Sequence, residues 1–219
     1  MSKLIEEINK FKDHILPQIP SEDLEKMLAE TKKLEDLKIR DNALGVGDIV
    51  KEFNLPNALG NNVSLDKILE ENNFVVLNFY RGLWCPYCNI EIKAFQDIND
   101  ELITLNTKLI SISPETPDLS LSMKEKHDLK FEVLSDANHK VEKEYGLLFP
   151  LGEKLKPIYE AWGFDIPGSN TINSYDLPMP ATYVINKNKE IIFAFVEEDY
   201  TKRCEPQDIL DVINNNIKE

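Results

Sequence analysis

Residues 79–88 read Phe79-Tyr-Arg-Gly-Leu-Trp-Cys-Pro-Tyr-Cys88, and they stand where an apolar strand meets a long amphipathic helix. On one side, Phe74-Val-Val-Leu-Asn-Phe-Tyr80 is rich in β-branched and aromatic residues, the pattern of a central strand. On the other, Ile92, Phe95, Ile98, Leu102 and Leu105 recur at helical spacing. Pro86 has no backbone N–H and a preset φ, so it suits the first helical position and makes Cys85 the N-cap. Cys88 is then the third residue of the first turn. Unpaired N–H groups and the helix dipole favour an anion there, so at least one sulfur is expected to ionise below the ordinary thiol value of ~8.5. The spacing of three puts both sulfurs on one face and lets them close a small disulfide ring. Continuing that face through Ile92 and Phe95 predicts that Cys88 leans toward the core while Cys85 stays accessible at the rim.

The rest of the chain says what this dithiol belongs to. Its 219 residues suit one domain with an extension, and 42% hydrophobic residues suffice for a sizeable core. A formal charge of −14 argues against nucleic acid, whose binding requires basic surface. No apolar run approaches the roughly 18 residues of a membrane helix. The N-terminal residues mix Glu6, Glu7 and Asp13 with apolar positions, so no export segment is expected. Three cysteines, two of them close together, fit a reducing cytoplasm better than a disulfide scaffold.

Outward from the turn, a helical N-terminal arm is expected over residues 1–44 and an α/β domain over 45–219. In the arm, Leu4, Ile8, Phe11 and Ile15 form one stripe. Ser21 is placed to cap a second helix with Leu24, Met27 and Leu28 as its apolar face. The arm is electrically almost neutral, and its stripe must pack on the main domain or on a second subunit, which makes a homodimer an expectation. A loose hairpin follows between Gly45 and Leu65. Next come a strand at 108–113, a helix at 118–129, a short strand at 131–134 and a helix at 138–145 closed by Gly146. Residues 147–180 read as a long irregular insertion with one helix near Lys154 to Trp162. A hairpin over 182–196 and a helix over 205–217 complete a mixed sheet with helices on both faces.

On the residues alone, several readings of the cysteine pair remain open. Half a zinc site would draw ligands from Cys204, His14, His127 or His139, none of them paired at a second short spacing. A structural disulfide and two ordinary core cysteines are the other bland readings, and Pro86 at the helix start speaks against the last. No metal and no organic cofactor is called for by the redox reading.

The segment FYRGLWCPYCNIE resembles the active-site segment of the thioredoxin-fold superfamily, most closely the peroxiredoxin-like branch of the AhpC/TSA family. Upstream VGDIVKEFNLPNALGNNVSL and downstream LPMPATYVIN and DYTKRCEPQDIL are similar to that family as well. The resemblance implies a thioredoxin-like, peroxiredoxin-type fold. It also implies that Cys88 holds the peroxidatic position and Glu91 that of the acid three residues on. Arg81 and Cys85 stand where the family carries Pro and Thr. Compared with thioredoxins, Trp84-Cys85-x-x-Cys88 is instead the redox pair with Cys85 attacking, and Asn78 replaces a buried acid. Pro180 is similar to the thioredoxin cis-proline that faces the redox pair, at a position where peroxiredoxins carry a peroxide-binding Arg. Arg81 is then the one positive charge expected near the turn.

The resemblance implies a cytoplasmic thiol peroxidase that reduces hydrogen peroxide or organic hydroperoxides through a cysteine sulfenic acid and a Cys85–Cys88 disulfide. By analogy Cys88 attacks, and a thioredoxin-like electron donor recycles the pair. A protein disulfide reductase with Cys85 as nucleophile, and a redox-switched binding module, are the alternatives. Tyr80, Trp84 and Tyr87 are expected to wall the site; Trp162 and Phe164 are expected to pack in a core under the insertion, with the active-site rim as the alternative. Cys204 is expected to be a surface or half-buried thiol, and Glu197 to Asp199 a solvated strand end.

Overall fold

The apolar run before the cysteines becomes the centre of a sheet. In the computed structural model, which describes residues 3–217, β3 (Phe74–Phe79) is fully buried and pairs on both edges. It lies parallel to β4 (Thr107–Ser113) and antiparallel to β8 (Ala181–Asn186). β5 (Glu132–Ser135) and β9 (Ile191–Val196) flank these, giving the order β5-β4-β3-β8-β9. The parallel half comes from βα crossovers and the antiparallel half from a hairpin, which produces the expected mixed sheet.

Side chains alternate across this sheet, so it builds a core on each face. Val76, Tyr80, Leu109 and Val184 pack with α4 (Pro86–Thr104) and α9 (Pro206–Ile217) on one face. Val75, Leu77, Ile110 and Tyr183 pack with α3 (Leu65–Glu71) and α6 (Lys140–Glu144) on the other. The loose hairpin forms as β1 (Asn54–Pro56) and β2 (Asn62–Ser64), and α5 (Pro117–Lys126) follows β4. Residues 147–180 are more ordered than the sequence suggests. β6 (Leu148–Pro150) pairs with β7 (Asp176–Pro178), and α7 (Lys156–Ala161) and α8 (Ile166–Ser169) lie between them. Each of those strands is three residues long, too short for a periodic signal.

The arm forms α1 (Lys3–Ile15) and α2 (Ser21–Asp36) and folds back over the sheet's α4 face. Leu4 and Ile8 are buried in the same core as the cysteines, so the chain itself covers the α1 stripe. Ser21 is the first helical residue rather than the cap; Pro20 takes that place without a side-chain hydrogen bond. Ion pairs join Lys3 to Asp97 and Arg40 to Glu197 and Glu198, so Glu198 is buried rather than solvated. The arm's last turn is pinned where Leu44 N–H donates to the Tyr145 carbonyl, 3.0 Å away. Gly146 has φ +68°, and a Cβ there would meet the Asn42 carbonyl oxygen at 2.0 Å, so no larger residue fits.

Candidate active site

Cys85 caps α4 as the sequence predicts. Its Sγ accepts from the Cys88 N–H at 3.4 Å, and Pro86 occupies the first turn. Both cysteines are free thiols and both are buried, Cys85 at 1% and Cys88 at 0% exposure. The rim position expected for Cys85 is therefore corrected: it lies beneath the arm, on the wall of a cavity of about 510 Å³, which Cys88 does not line. Asn89 fixes the turn from behind, its Nδ2 donating to the carbonyls of Leu83 and Cys85.

Two guanidinium groups face the sulfurs, where the sequence pointed to one. Arg81 is buried against the rings of Trp84 and Tyr200, 4.9 and 4.5 Å away, and donates to Tyr159 Oη at 3.0 Å. Arg203 enters from the loop between β9 and α9. Its Nη2 lies 3.5 Å from Cys88 Sγ and 3.9 Å from Cys85 Sγ, and its Nη1 donates to Glu91 Oε2 at 2.7 Å. Arg203 was not singled out in the sequence because it lies 115 residues from Cys88 and no spacing links them.

A polar row across the sheet holds this arginine. Ser111, Asn78 and Thr182 are aligned by register on adjacent strands. Ser111 Oγ donates to Asn78 Oδ1, and Asn78 Nδ2 donates to Glu91 Oε2 at 3.3 Å. Glu91 thus acts through Arg203 and touches neither sulfur by a hydrogen bond among the described residues. Burial pushes the Glu91 carboxyl up, while Arg203 draws it down.

These surroundings divide the two thiols. Burial alone would raise Cys85, but the hydrogen bond from Cys88, the charges of Arg81 and Arg203, and the Cys88 N–H together outweigh it and bring Cys85 down to about 6. Burial, together with the Cys85 sulfur beside it, pushes Cys88 well up. The pair is thus a thiolate facing the cavity and a protonated thiol beneath it.

The other sequence candidates fall into place unevenly. Trp84, Tyr87, Trp162 and Phe164 line the cavity. Tyr80 is fully buried in the core under the turn and does not. Pro180 precedes β8 through a trans bond, since no cis peptide is present among the described residues, and β8 is an interior strand. Cys204 is fully buried rather than superficial, and burial pushes its thiol up. Among the described residues no group of three or more His, Cys, Asp or Glu is arranged to hold a metal, and no helix is long and apolar enough to cross a membrane.

Glu115, just after β4, is a second residue that sequence reasoning missed. Its Oε1 accepts from Leu83 N–H at 2.8 Å, while the buried Oε2 has no partner among the described residues. Gly82 next to it has φ +153°, and a Cβ there would meet Trp84 Nε1 at 2.4 Å and Glu115 Oε1 at 2.8 Å.

A dithiol at the start of a helix that follows the central strand of a five-stranded mixed sheet defines a thioredoxin-like thiol protein. The chain belongs to the AhpC/TSA family, whose profile matches residues 46–204. It is similar to peroxiredoxin Bcp of Escherichia coli (strain K12), 31% identical over 106 residues that cover 48% of this chain and 67% of that one. A putative peroxiredoxin of Coxiella burnetii (strain RSA 493 / Nine Mile phase I) is 30% identical over 119 residues, 53% of this chain and 78% of that one. Among solved structures, peroxidoxin BcpB of Mycobacterium tuberculosis superposes with a TM-score of 0.63 at 21% identity, covering 78% and 97% of the two chains. The reduced 2-Cys peroxiredoxin of Plasmodium vivax gives 0.62 at 18% identity over 80% and 83%. These structural likenesses establish the thioredoxin-like, peroxiredoxin-type fold. The family match begins at residue 46, after the arm.

Proposed function

We propose that the chain is a thiol peroxidase in which Cys85 attacks a hydroperoxide and Cys88 resolves the product. The observation that carries the reading is the asymmetry of the pair. Cys85 lies on the cavity wall at the helix N-cap, acted on by the charges of the buried Arg81 and Arg203, and Cys88 does not line the cavity. The Cys85 thiolate displaces alkoxide or hydroxide from the peroxide oxygen, forming an S–O bond as the O–O bond breaks. The departing oxygen takes up a proton, leaving Cys85 sulfenic acid and an alcohol or water. Arg81 and Arg203 stabilise the charge that develops on that oxygen. The Cys88 thiol then condenses with the sulfenic acid, releasing water and forming the Cys85–Cys88 disulfide. A thioredoxin-type dithiol donor returns two electrons and two protons and is itself oxidised to a disulfide.

The partition into an arm over 1–44 and a catalytic domain over 45–219, and a cytoplasmic setting, belong to the same proposal. Three free cysteines agree with a reducing compartment. One observation favours a second assignment of the sulfurs. Cys88 holds the peroxidatic position of the family pattern, and Arg203 Nη2 is nearer to it than to Cys85.

Trapping the sulfenic acid separates the two assignments. With one equivalent of hydrogen peroxide, the Cys88→Ser protein is expected to accumulate a dimedone adduct at Cys85, and the Cys85→Ser protein to give little. The opposite labelling assigns attack to Cys88. No adduct in either, with insulin disulfides reduced briskly, would replace the peroxidase by a disulfide reductase.

A further inference from the structure

Attack on a hydroperoxide expels an alkoxide or hydroxide, and that oxygen needs a proton. At neutral pH hydronium is scarce and water is a weak acid, so a positioned side chain is the effective donor. Arg81 and Arg203 cannot serve, because a guanidinium does not give up its proton in a protein. Cys88 does not line the cavity, and its proton leaves later in the water released on condensation.

The helices α1 and α2 form the roof of the cavity, where Phe11 meets Tyr87 edge to face at 5.2 Å. Two polar groups on the cavity wall are already engaged: Lys12 Nζ donates to Thr201 Oγ1 at 2.7 Å, and that hydroxyl donates to Asp199 Oδ1 at 2.7 Å. The phenols on the wall are Tyr87, Tyr159 and Tyr200. Burial pushes Tyr87 up to about 12 and Tyr200 well up, so both hold their protons firmly.

Tyr159 differs from both. It sits on α7, 3% exposed, with its ring stacked on Trp162 at 5.9 Å and 18° and crossed by Phe164 at 6.0 Å and 83°. Trp84 adds a third ring contact at 5.8 Å. The clamped ring brings Oη to 3.0 Å from Arg81 Nη2, from which it accepts a hydrogen bond. Among the described residues nothing accepts the proton of that hydroxyl. It therefore has a proton to give, on the lining it shares with Arg81 and Cys85. The Arg81 charge also acts on the Cys85 sulfur, so one guanidinium serves the nucleophile and the phenol.

We propose that Tyr159 is the general acid of the reaction, donating its Oη proton to the oxygen that leaves when Cys85 attacks. This rests on the peroxidase reading above and adds a catalytic residue to it. As the S–O bond forms, the O–O bond breaks and its electron pair stays with the departing oxygen, which takes the Tyr159 proton and leaves as alcohol or water. The phenolate that remains is paired with the Arg81 guanidinium in a charge-assisted hydrogen bond. The donor dithiol closes the balance. Of its two protons, one returns to Cys88 and the other to Tyr159, since Cys85 is released as a thiolate.

The test varies how much the leaving oxygen needs a proton. Hydrogen peroxide expels hydroxide, whose conjugate acid has a pKa of ~15.7, while 3-chloroperbenzoic acid expels a carboxylate, an anion stable above ~4. The rate constant for oxidation of the reduced protein is read by stopped flow at neutral pH, with the Cys85→Ser protein as background. Tyr159→Phe keeps the ring and removes the hydroxyl; it is expected to slow the hydrogen peroxide reaction by about 100-fold and to change the peracid reaction by less than about twofold. In the wild type, deuterium oxide is expected to slow the reaction with hydrogen peroxide and not that with the peracid, which tests proton transfer without any variant. Equal slowing of both oxidants in Tyr159→Phe assigns the hydroxyl to holding Arg81 and overturns the proposal. So does an unchanged rate with both, or a hydrogen peroxide reaction insensitive to deuterium oxide; in each case the peroxidase stands. Wild-type protein that neither oxidant oxidises above the background overturns the peroxidase reading and the proposal with it.

Discussion

Arg203 is one of the groups that set how reactive the turn is, beside the Cys88 hydrogen bond and Arg81, because a thiolate buried beneath a helical arm requires compensation from inside the protein. Helix-terminal N–H groups alone act on an exposed cysteine; at 1% exposure, desolvation opposes them. The charges of Arg81 and Arg203, with the hydrogen bond from Cys88, reverse that balance. The thiolate fraction therefore rises as pH passes about 6 and is nearly complete at neutrality. Peroxide reduction and iodoacetamide alkylation of Cys85 are expected to follow that curve, increasing from acid pH and levelling off above it. Removing one charge from this site is expected to move the alkylation midpoint upward by about one unit, equivalent to ~1.4 kcal/mol. Arg203→Met tests this, with Arg203→Lys expected to recover part of the shift. An unchanged midpoint in a folded Arg203→Met protein would mean that Arg81 and the N-cap suffice. Removing Arg203 also leaves Glu91 without its ion-pair partner, so the variant's stability must be measured alongside.

At the level of elements, the turn between β3 and α4 is tied to β4 by the Tyr80 N–H donating to the Ile112 carbonyl and to the segment just after β4 by the Glu115 carboxyl. Burial pushes Glu115 up to about 8, although the Leu83 N–H pulls the other way. An unfolded chain ionises this group near ~4.3. Between those values the folded chain keeps a proton that the unfolded chain releases, so the Glu115 contribution to stability declines as pH rises and flattens above about 8. Glu115→Gln keeps an acceptor for Leu83 and removes the titration. It is expected to gain on the wild type as pH is raised from about 5 to about 8, measured by urea unfolding at each pH. A difference between the two proteins that stays constant with pH would refute the neutral Glu115. The contrast between Glu115 and Cys85 shows what the sequence makes legible. Pro86, the apolar strand and the period of α4 are local signals, and they place the dithiol at a helix start on a central strand. Glu115 and Arg203 reach the turn through sheet register and a distant loop, and neither carries a periodic or spacing signature. The rim position expected for Cys85 failed for the same reason. Its neighbours on α4 were readable, but the helix that covers it begins more than fifty residues earlier in the chain.

For the molecule as a whole, the arm poses a conflict between shelter and access under the proposed mechanism, in which a dithiol donor has to reach a disulfide between cysteines that the reduced fold buries. The arm is attached at its two ends, through α1 and through Arg40 and Leu44, and α2 between them is the weakly held part. Leu4 and Ile8 contribute roughly 1.5–3 kcal/mol each through burial. The Lys3–Asp97 pair is solvent-exposed on both sides and adds little. α2 has no fully buried residue, whereas α4 buries Cys88, Ile92, Phe95 and Leu102. An element attached by a few contacts opens at a lower free energy than the global ~5–15 kcal/mol of a domain. Helix α2 is therefore expected to lift while the sheet stays intact. A maleimide carrying a substituent too large for the cavity of about 510 Å³ then reaches Cys85 only in the lifted form. Its labelling of Cys85, read by mass spectrometry, is expected to accelerate at urea concentrations below the global transition, with the shallow denaturant dependence of a small exposed surface. Hydrogen exchange at residues 21–36 is expected to be fast under the same conditions, while β3 stays protected. If labelling and exchange in the arm instead follow the global unfolding curve, the roof is an integral part of the core, and a donor would have to reach the disulfide by a route other than arm opening.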